Sequence, residues 1–242
     1  MKRFLLAFFL LPCGLIAYEY LTLPDVSSLK KGNPKITALM SQREAEARAK
    51  GKKTTVYQIW VPYAAISNTL KSAVLIGEDD AFYQHEGYDL EQIKESFIKD
   101  WEEKRLVRGA STITQQLAKN LYLSTSKSPL RKLKEFLIAR KLEDALSKRR
   151  ILEIYLNVIE WGNGIYGAEA AARFYFRKPA RDLTVREAAL LAASIPNPRH
   201  MNPSHVTRGL QNRLEIILSR MVQRNQISTE DGQQALKPES NS

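Results

Sequence analysis

Arg108-Gly109-Ala110-Ser111-Thr112-Ile113-Thr114-Gln115-Gln116-Leu117-Ala118-Lys119-Asn120 reads as a loop that opens into a helix. Gly109 lets the backbone turn and come close to a ligand. Ser111 or Thr112 serves as the cap, and Thr112 with Gln115 fits the S/T-x-x-Q capping box. The free N–H groups of the first turn and the helix dipole then face whatever lies in front, which makes a site for an anion. Arg108 stands just before that entrance, and Lys119 about two turns further in. Gln115 and Gln116 occupy places where a plain core helix carries Leu or Ala. A capped surface helix with no ligand has the same local signature, so the stretch alone leaves both readings open.

Carboxylates lie on both sides of it. Upstream, apolar Val74-Leu75-Ile76-Gly77 runs into Glu78-Asp79-Asp80, followed by Phe82, His85 and Gly87. A carboxylate at the end of an apolar helix is partly desolvated, which raises its pKa and suits general acid or base work. It also opposes the helix dipole, so something else must hold it there. An acidic turn facing water is the plainer alternative, and His85 reads as a packing or hydrogen-bonding residue. Downstream, Arg131 and Lys132 share a helix face with Glu135. Glu153 shares one with Arg149 and Asn157, with Lys148 just ahead. Taken singly, each cluster is a surface ion-pair face worth roughly 0.2–0.5 kcal/mol per pair.

The 242 residues suit one catalytic-size domain plus an extension, or at most two small domains, and 44% hydrophobic content is ample for a core. A net charge of +11 points to an anionic partner. The single cysteine, Cys13, allows neither an internal disulfide nor a cysteine metal site, and three scattered histidines make no zinc motif. Lys2 and Arg3 precede the apolar run 4–17, and residues 4–23 are long enough to cross a bilayer as a helix. The positive flank places the N-terminus in the cytoplasm and the rest outside. Glu19 falls at the outer headgroups, with Tyr18 and Tyr20 as interface residues. No A-x-A-like site follows the run, which favours an anchor over a cleaved signal. With a membrane anchor and no nucleic-acid motif, the anionic partner is not nucleic acid.

Residues 24–53 read as a polar connector with a helix-like stretch at 41–50, and 54–61 as a short strand ending at Pro62. Three- and four-residue apolar spacing predicts helices over 67–76, 90–106, 130–146, 149–159 and 206–224. Thr184 and Glu187 predict a capping box on a helix over 184–193. The fold class is mainly α. The expected organisation is an anchor at 1–23, the connector, a catalytic domain at 54–236 and a tail at 237–242.

Taken in order, these clusters resemble the five motifs of the peptidoglycan glycosyltransferases (family 51). They are Glu78-Asp79 with Phe82, His85 and Gly87; residues 109–120; Arg131-Lys132-x-x-Glu135; Lys148-x-x-Ile151-Leu152-Glu153-x-Tyr155-Leu156-Asn157; and 188–203 with its three prolines. The chain is most similar to the monofunctional members from Gram-negative bacteria. The resemblance implies a lysozyme-like α-helical fold behind an N-terminal transmembrane helix, on the periplasmic side of the inner membrane. It implies polymerisation of lipid II onto a growing glycan chain, with inversion and a polyprenyl diphosphate leaving group. It also implies other cell-wall synthesis or division proteins as partners.

By motif match Glu78 is the general base. Glu135 orients the cations or holds a divalent Mg²⁺ or Mn²⁺; no organic cofactor is implied, and no metal cage is legible. Arg108, Lys119, Arg131, Lys132 and Lys148 are expected at the diphosphate, helped by the helix N-terminus. Ser111, Thr112, Thr114, Gln115, Gln116, Glu153 and Asn157 are carried over as substrate-binding positions. The segment 88–107 corresponds to a mobile, membrane-contacting lobe of the family, and a simple domain helix fits its pattern equally well. A lysozyme-like hydrolase shares the fold and a catalytic Glu but lacks so dense a cationic set. A non-catalytic scaffold does not require Glu78 and Glu135. Ser124-Thr125-Ser126-Lys127 fits S-x-x-K, but no K-T-G follows and no second domain is expected.

Overall fold

The computed structural model describes residues 19, 21–53, 55–88, 111–126 and 128–237. Nearly all of the expected anchor, the helix expected at 90–106, the lobe segment beyond Tyr88, and Arg108 with Gly109 lie outside the described residues. So do Lys127 and the tail from 238. Among the described residues no helix is long and apolar enough to cross a membrane.

Nine α-helices and three short strands are described: α1 Ala38–Ala49, β1 Tyr57–Gln58, α2 Asn68–Glu78, α3 Ile113–Tyr122, α4 Pro129–Ala145, α5 Lys148–Val158, β2 Glu160–Gly162, β3 Ile165–Tyr166, α6 Ala168–Phe176, α7 Val185–Ser194, α8 Arg208–Gln223 and α9 Thr229–Leu236. The mainly α expectation holds. Most helices begin at a Ser or Thr whose hydroxyl accepts a first-turn N–H: Thr37, Ser67, Thr112, Ser147, Thr184, Thr207 and Ser228. At α7 the expected capping box is complete, with Glu187 reaching back to the Thr184 N–H at 2.8 Å.

α7 is the hub of one half of the molecule. Ala188, Ala189, Leu191, Ala192 and Ala193 are fully buried, so the helix is covered all round. It packs against α2 and α8, and α8 also covers α2 and α9. In the other half α3 lies across α1, α4 and α5, burying Ile113, Leu117 and Leu121 at four-residue steps. Both halves share one apolar core, which includes Trp161, Tyr155 and Phe82.

The strand expected over 54–61 shrinks to Tyr57 and Gln58, which pair in parallel with β3. β2 pairs with β3 on the other side, antiparallel. Gly164 turns this hairpin at φ +76°, where a Cβ would stand 2.6 Å from the Thr55 carbonyl oxygen. The hairpin, α6 and α9 had no counterpart in the sequence reading.

The connector boundary is corrected. Val26 and Leu29 are part of the main core, and Leu39 and Met40 bury against Tyr166. Arg150 of α5 donates to the carbonyls of Leu29 at 2.9 Å and Gly32 at 2.6 Å, and to Asn33 Oδ1 at 2.8 Å. Residues 26–40 are therefore tied into the folded unit. Glu19, expected among headgroups, is buried, with its carboxylate 2.7 Å from Lys134 Nζ on α4.

Candidate active site

Glu78 is the last residue of α2, delivered there by an apolar helix that buries Leu70, Ala73, Val74 and Ile76. Gly77 lets α8 approach closely: a Cβ there would be 3.2 Å from Ile217 Cδ1. The Glu78 side chain is only 9% exposed. Burial pushes its carboxyl above the usual range; the Gln116 hydrogen bond, Arg213 and Lys119 pull the other way, and Asp79 adds to the rise. Gln116 Nε2 donates to Glu78 Oε2 at 2.8 Å, and Tyr155 OH donates to Gln116 Oε1 at 2.9 Å. Arg213 Nη2 lies 3.7 Å from Glu78 Oε1. Gln116 thus acts on the carboxylate through its amide.

The entrance of α3 does hold an anion, but the anion is the protein's own. Asp79 is buried, its Oδ2 accepts the Ile113 N–H at 2.9 Å, and its Oδ1 meets His85 Nε2 at 2.9 Å. Thr112 Oγ1 accepts the Gln115 N–H at 3.2 Å and donates to the Gly87 carbonyl at 2.7 Å. Thr112 rather than Ser111 is the cap. The return half of the expected box is missing, because the Gln115 side chain turns to Lys132, whose Nζ donates to its Oε1 at 3.4 Å. Thr114 is fully buried and donates to Glu143. Thr112 and Thr114 therefore sit inside the wall of the site, and the Ile113 and Gln115 N–H groups of the first turn are taken by Asp79 and Thr112.

The cations gather along α3 and α4. Glu135, 2% exposed, receives Arg131 Nη1 on Oε2 and Lys132 Nζ on Oε1, both at 2.5 Å. Lys132 also donates to Ser111 Oγ at 2.9 Å. Burial, with Arg131 and Lys132 nearby, lowers the Lys119 pKa, while Glu135 and Glu78 oppose that fall. Lys119 is therefore close to both carboxylates. Ser111, Gln115, Arg131, Lys132 and Glu135 form one neighbourhood, which Gln116 and Lys119 join to Glu78.

Three expected site residues stand apart from it. Lys148 pairs with Glu143 at 2.8 Å and lies over the Phe82 ring at 4.4 Å. Glu153 pairs with Arg150 at 2.5 Å instead of the expected Arg149, which lies over the Tyr63 ring. Fully buried Asn157 bonds Val61 through both its side-chain oxygen and nitrogen, at 2.9 and 3.0 Å. In this structure their contacts are with the scaffold. Arg213, Tyr155 and Asp79 are the functional neighbours missed as site residues. Asp79 and Tyr155 lay within quoted motifs, whereas Arg213 carried no local signal.

A cleft of about 160 Å³ continues from Gln116 and Lys119 past Asn120 and Thr125 to Arg43, Glu160 and the Ile195–Pro196 turn. Burial raises the Glu160 carboxyl despite Arg43 Nε at 3.1 Å. Among the described residues no cluster of three or more acidic, His or Cys side chains forms a metal site. Both Glu135 oxygens already face cations, so this donor set does not fit a dication.

Residues 44–222 match the family model described as Transglycosylase. The biosynthetic peptidoglycan transglycosylase of Methylobacillus flagellatus is 45% identical over 206 residues, covering 85% of this chain and 90% of that one. The protein of the same name from Thiobacillus denitrificans is 50% identical over 185 residues, covering 76% and 80%. A crystal structure of penicillin-binding protein 1A from Haemophilus influenzae aligns at 24% identity and TM-score 0.42, over 75% of this chain and 17% of that one. The chain belongs to the transglycosylase family.

Proposed function

We propose that this chain is a peptidoglycan glycosyltransferase that polymerises lipid II into glycan strands at the outer face of the bacterial inner membrane, held there by its N-terminal segment. The observation that carries the reading is the desolvated Glu78 carboxylate beside Lys119 and the Arg131–Glu135–Lys132 cluster. Glu78 takes the proton of the acceptor sugar's 4-hydroxyl. That oxygen attacks the donor's anomeric carbon. The bond from that carbon to the diphosphate oxygen breaks, and its electron pair leaves with the lipid diphosphate. One displacement inverts the centre. A diphosphate leaves without being protonated if its charge is stabilised, which is the work of Lys119, Arg131 and Lys132. No step passes through a metal.

The 160 Å³ cleft is smaller than the ~300–1,000 Å³ of a complete ligand pocket, so it fits one saccharide subsite in a longer groove. A hydrolase would need a second carboxyl as proton donor to a sugar leaving group. Glu135, bracketed by two cations, is poorly suited to that role. The test is purified protein with labelled lipid II. Long strands and released lipid diphosphate are expected; cleavage of preformed glycan without polymerisation would favour the hydrolase.

A further inference from the structure

Arg213 is the one charged side chain of α7 or α8 that reaches Glu78, among the described residues. It stands on the second turn of α8, and its Nε donates to the Ala193 carbonyl at 3.0 Å. That carbonyl lies in the last turn of α7, where helix carbonyls lack partners in their own helix and the dipole favours a cation. The guanidinium is therefore anchored at one edge and free at the other. Its free edge faces Glu78 Oε1 at 3.7 Å, while Gln116 holds Oε2 at 2.8 Å.

We infer that Arg213 is the positioning residue for the base: it fixes the Glu78 carboxylate from the side opposite Gln116 and leaves Oε1 as the oxygen that receives the substrate proton. The inference rests on the reading of Glu78 as general base. At 3.7 Å the contact is electrostatic rather than a hydrogen bond, so it orients Oε1 without occupying its lone pairs. Oε2 is already committed to the amide.

The other groups facing Glu78 do not duplicate this. Asp79 is a like charge on the same turn and opposes ionisation. Tyr155, from α5, is neutral and acts through Gln116. Lys119, from α3, also faces Glu135 and the expected diphosphate. Its charge is drawn on as the leaving group departs, whereas that of Arg213 stays with the base. Arginine suits the place because one planar group can hold a carbonyl through Nε and present Nη2 to a carboxylate.

The test compares wild type with Arg213→Met and Arg213→Lys, checking folding of each by thermal melting. In Arg213→Met the kcat for lipid II polymerisation is expected to fall about tenfold or more, as for impaired general-base catalysis, with KM nearly unchanged. Removing the cation raises the pKa of Glu78, so the acid limb of the kcat–pH profile moves to higher pH. Arg213→Lys restores that limb more than it restores the rate, because it lacks the Nε bond to Ala193. A lowered rate with an unmoved limb in both variants makes Arg213 only a tie between α7 and α8, and overturns the inference. So does an unchanged rate. A second readout needs no turnover: titration of the Glu78 side-chain carboxyl by ¹³C NMR. A higher pKa in Arg213→Met, largely restored in Arg213→Lys, supports the inference, and an unchanged one in Arg213→Met overturns it. Failure of the wild type to make strands would instead count against the transferase reading, and the titration would still decide the role of Arg213.

Discussion

Glu78 concentrates the molecule's central trade-off in one side chain. Its carboxyl titrates above its ordinary 4.5 because burial costs more than Gln116, Arg213 and Lys119 return. The folded state therefore holds this proton more tightly than the unfolded chain does. Ionising Glu78 costs stability, and the cost grows as pH rises from the unfolded pKa through the folded one. Glu78→Gln removes the charge and keeps the shape. At neutral pH the variant should melt above wild type, with the gap closing as pH falls toward about 4. Parallel melts across that range check this; a variant melting below wild type at neutral pH would mean that Arg213 and Lys119 outweigh burial. Activity and stability are expected to move in opposite directions at this residue.

The α3 entrance shows what local sequence can and cannot reveal about an element. Caps are a matter of neighbouring residues: Thr184 and Glu187 at α7 were legible, and at α3 the choice narrowed to Ser111 or Thr112, of which Thr112 is the cap. The carboxylate that fills the entrance was not, because Asp79 precedes Ile113 by 34 positions and only packing joins them. Asp79→Ala should cost about 1.5–3 kcal/mol, the range for a hydrogen bond to a charged group. Chemical denaturation checks this, and a loss under 0.5 kcal/mol, the size of an ordinary surface change, would contradict the buried pin. Other features are hidden from local sequence for the same physical cause. Strands of two or three residues, such as β2 and β3, are too short to show a period. Arg213 meets Glu78 across 135 positions, and on its own helix it looks like any surface arginine. The Glu135 cluster was legible because three- and four-residue spacing puts Arg131 and Lys132 on its face.

At the scale of the whole molecule, the chain leading from the expected membrane anchor is built into the domain. Arg150, oriented by Glu153, clasps Leu29, Gly32 and Asn33, and Leu29 fills the core. Glu153→Gln should therefore lower thermal stability while leaving affinity for a lipid diphosphate analogue unchanged. Weaker binding at unchanged stability would return Glu153 to the substrate site. Leu29→Ala should cost about 2–4 kcal/mol, as for other large-to-small core changes; a denaturation midpoint equal to wild type would mean that the segment is only draped on the surface. The basic excess of +11 is consistent with a domain working against an anionic lipid surface. The proposed chemistry turns on the Glu78 carboxylate as the base of a glycosyl transfer. The most direct measurement follows labelled lipid II with wild type and Glu78→Gln, at matched occupancy by the substrate. Long strands from the wild type, with none from a folded Glu78→Gln that still binds lipid II, are the predicted result. Strand formation by Glu78→Gln at a rate near wild type would contradict the claim.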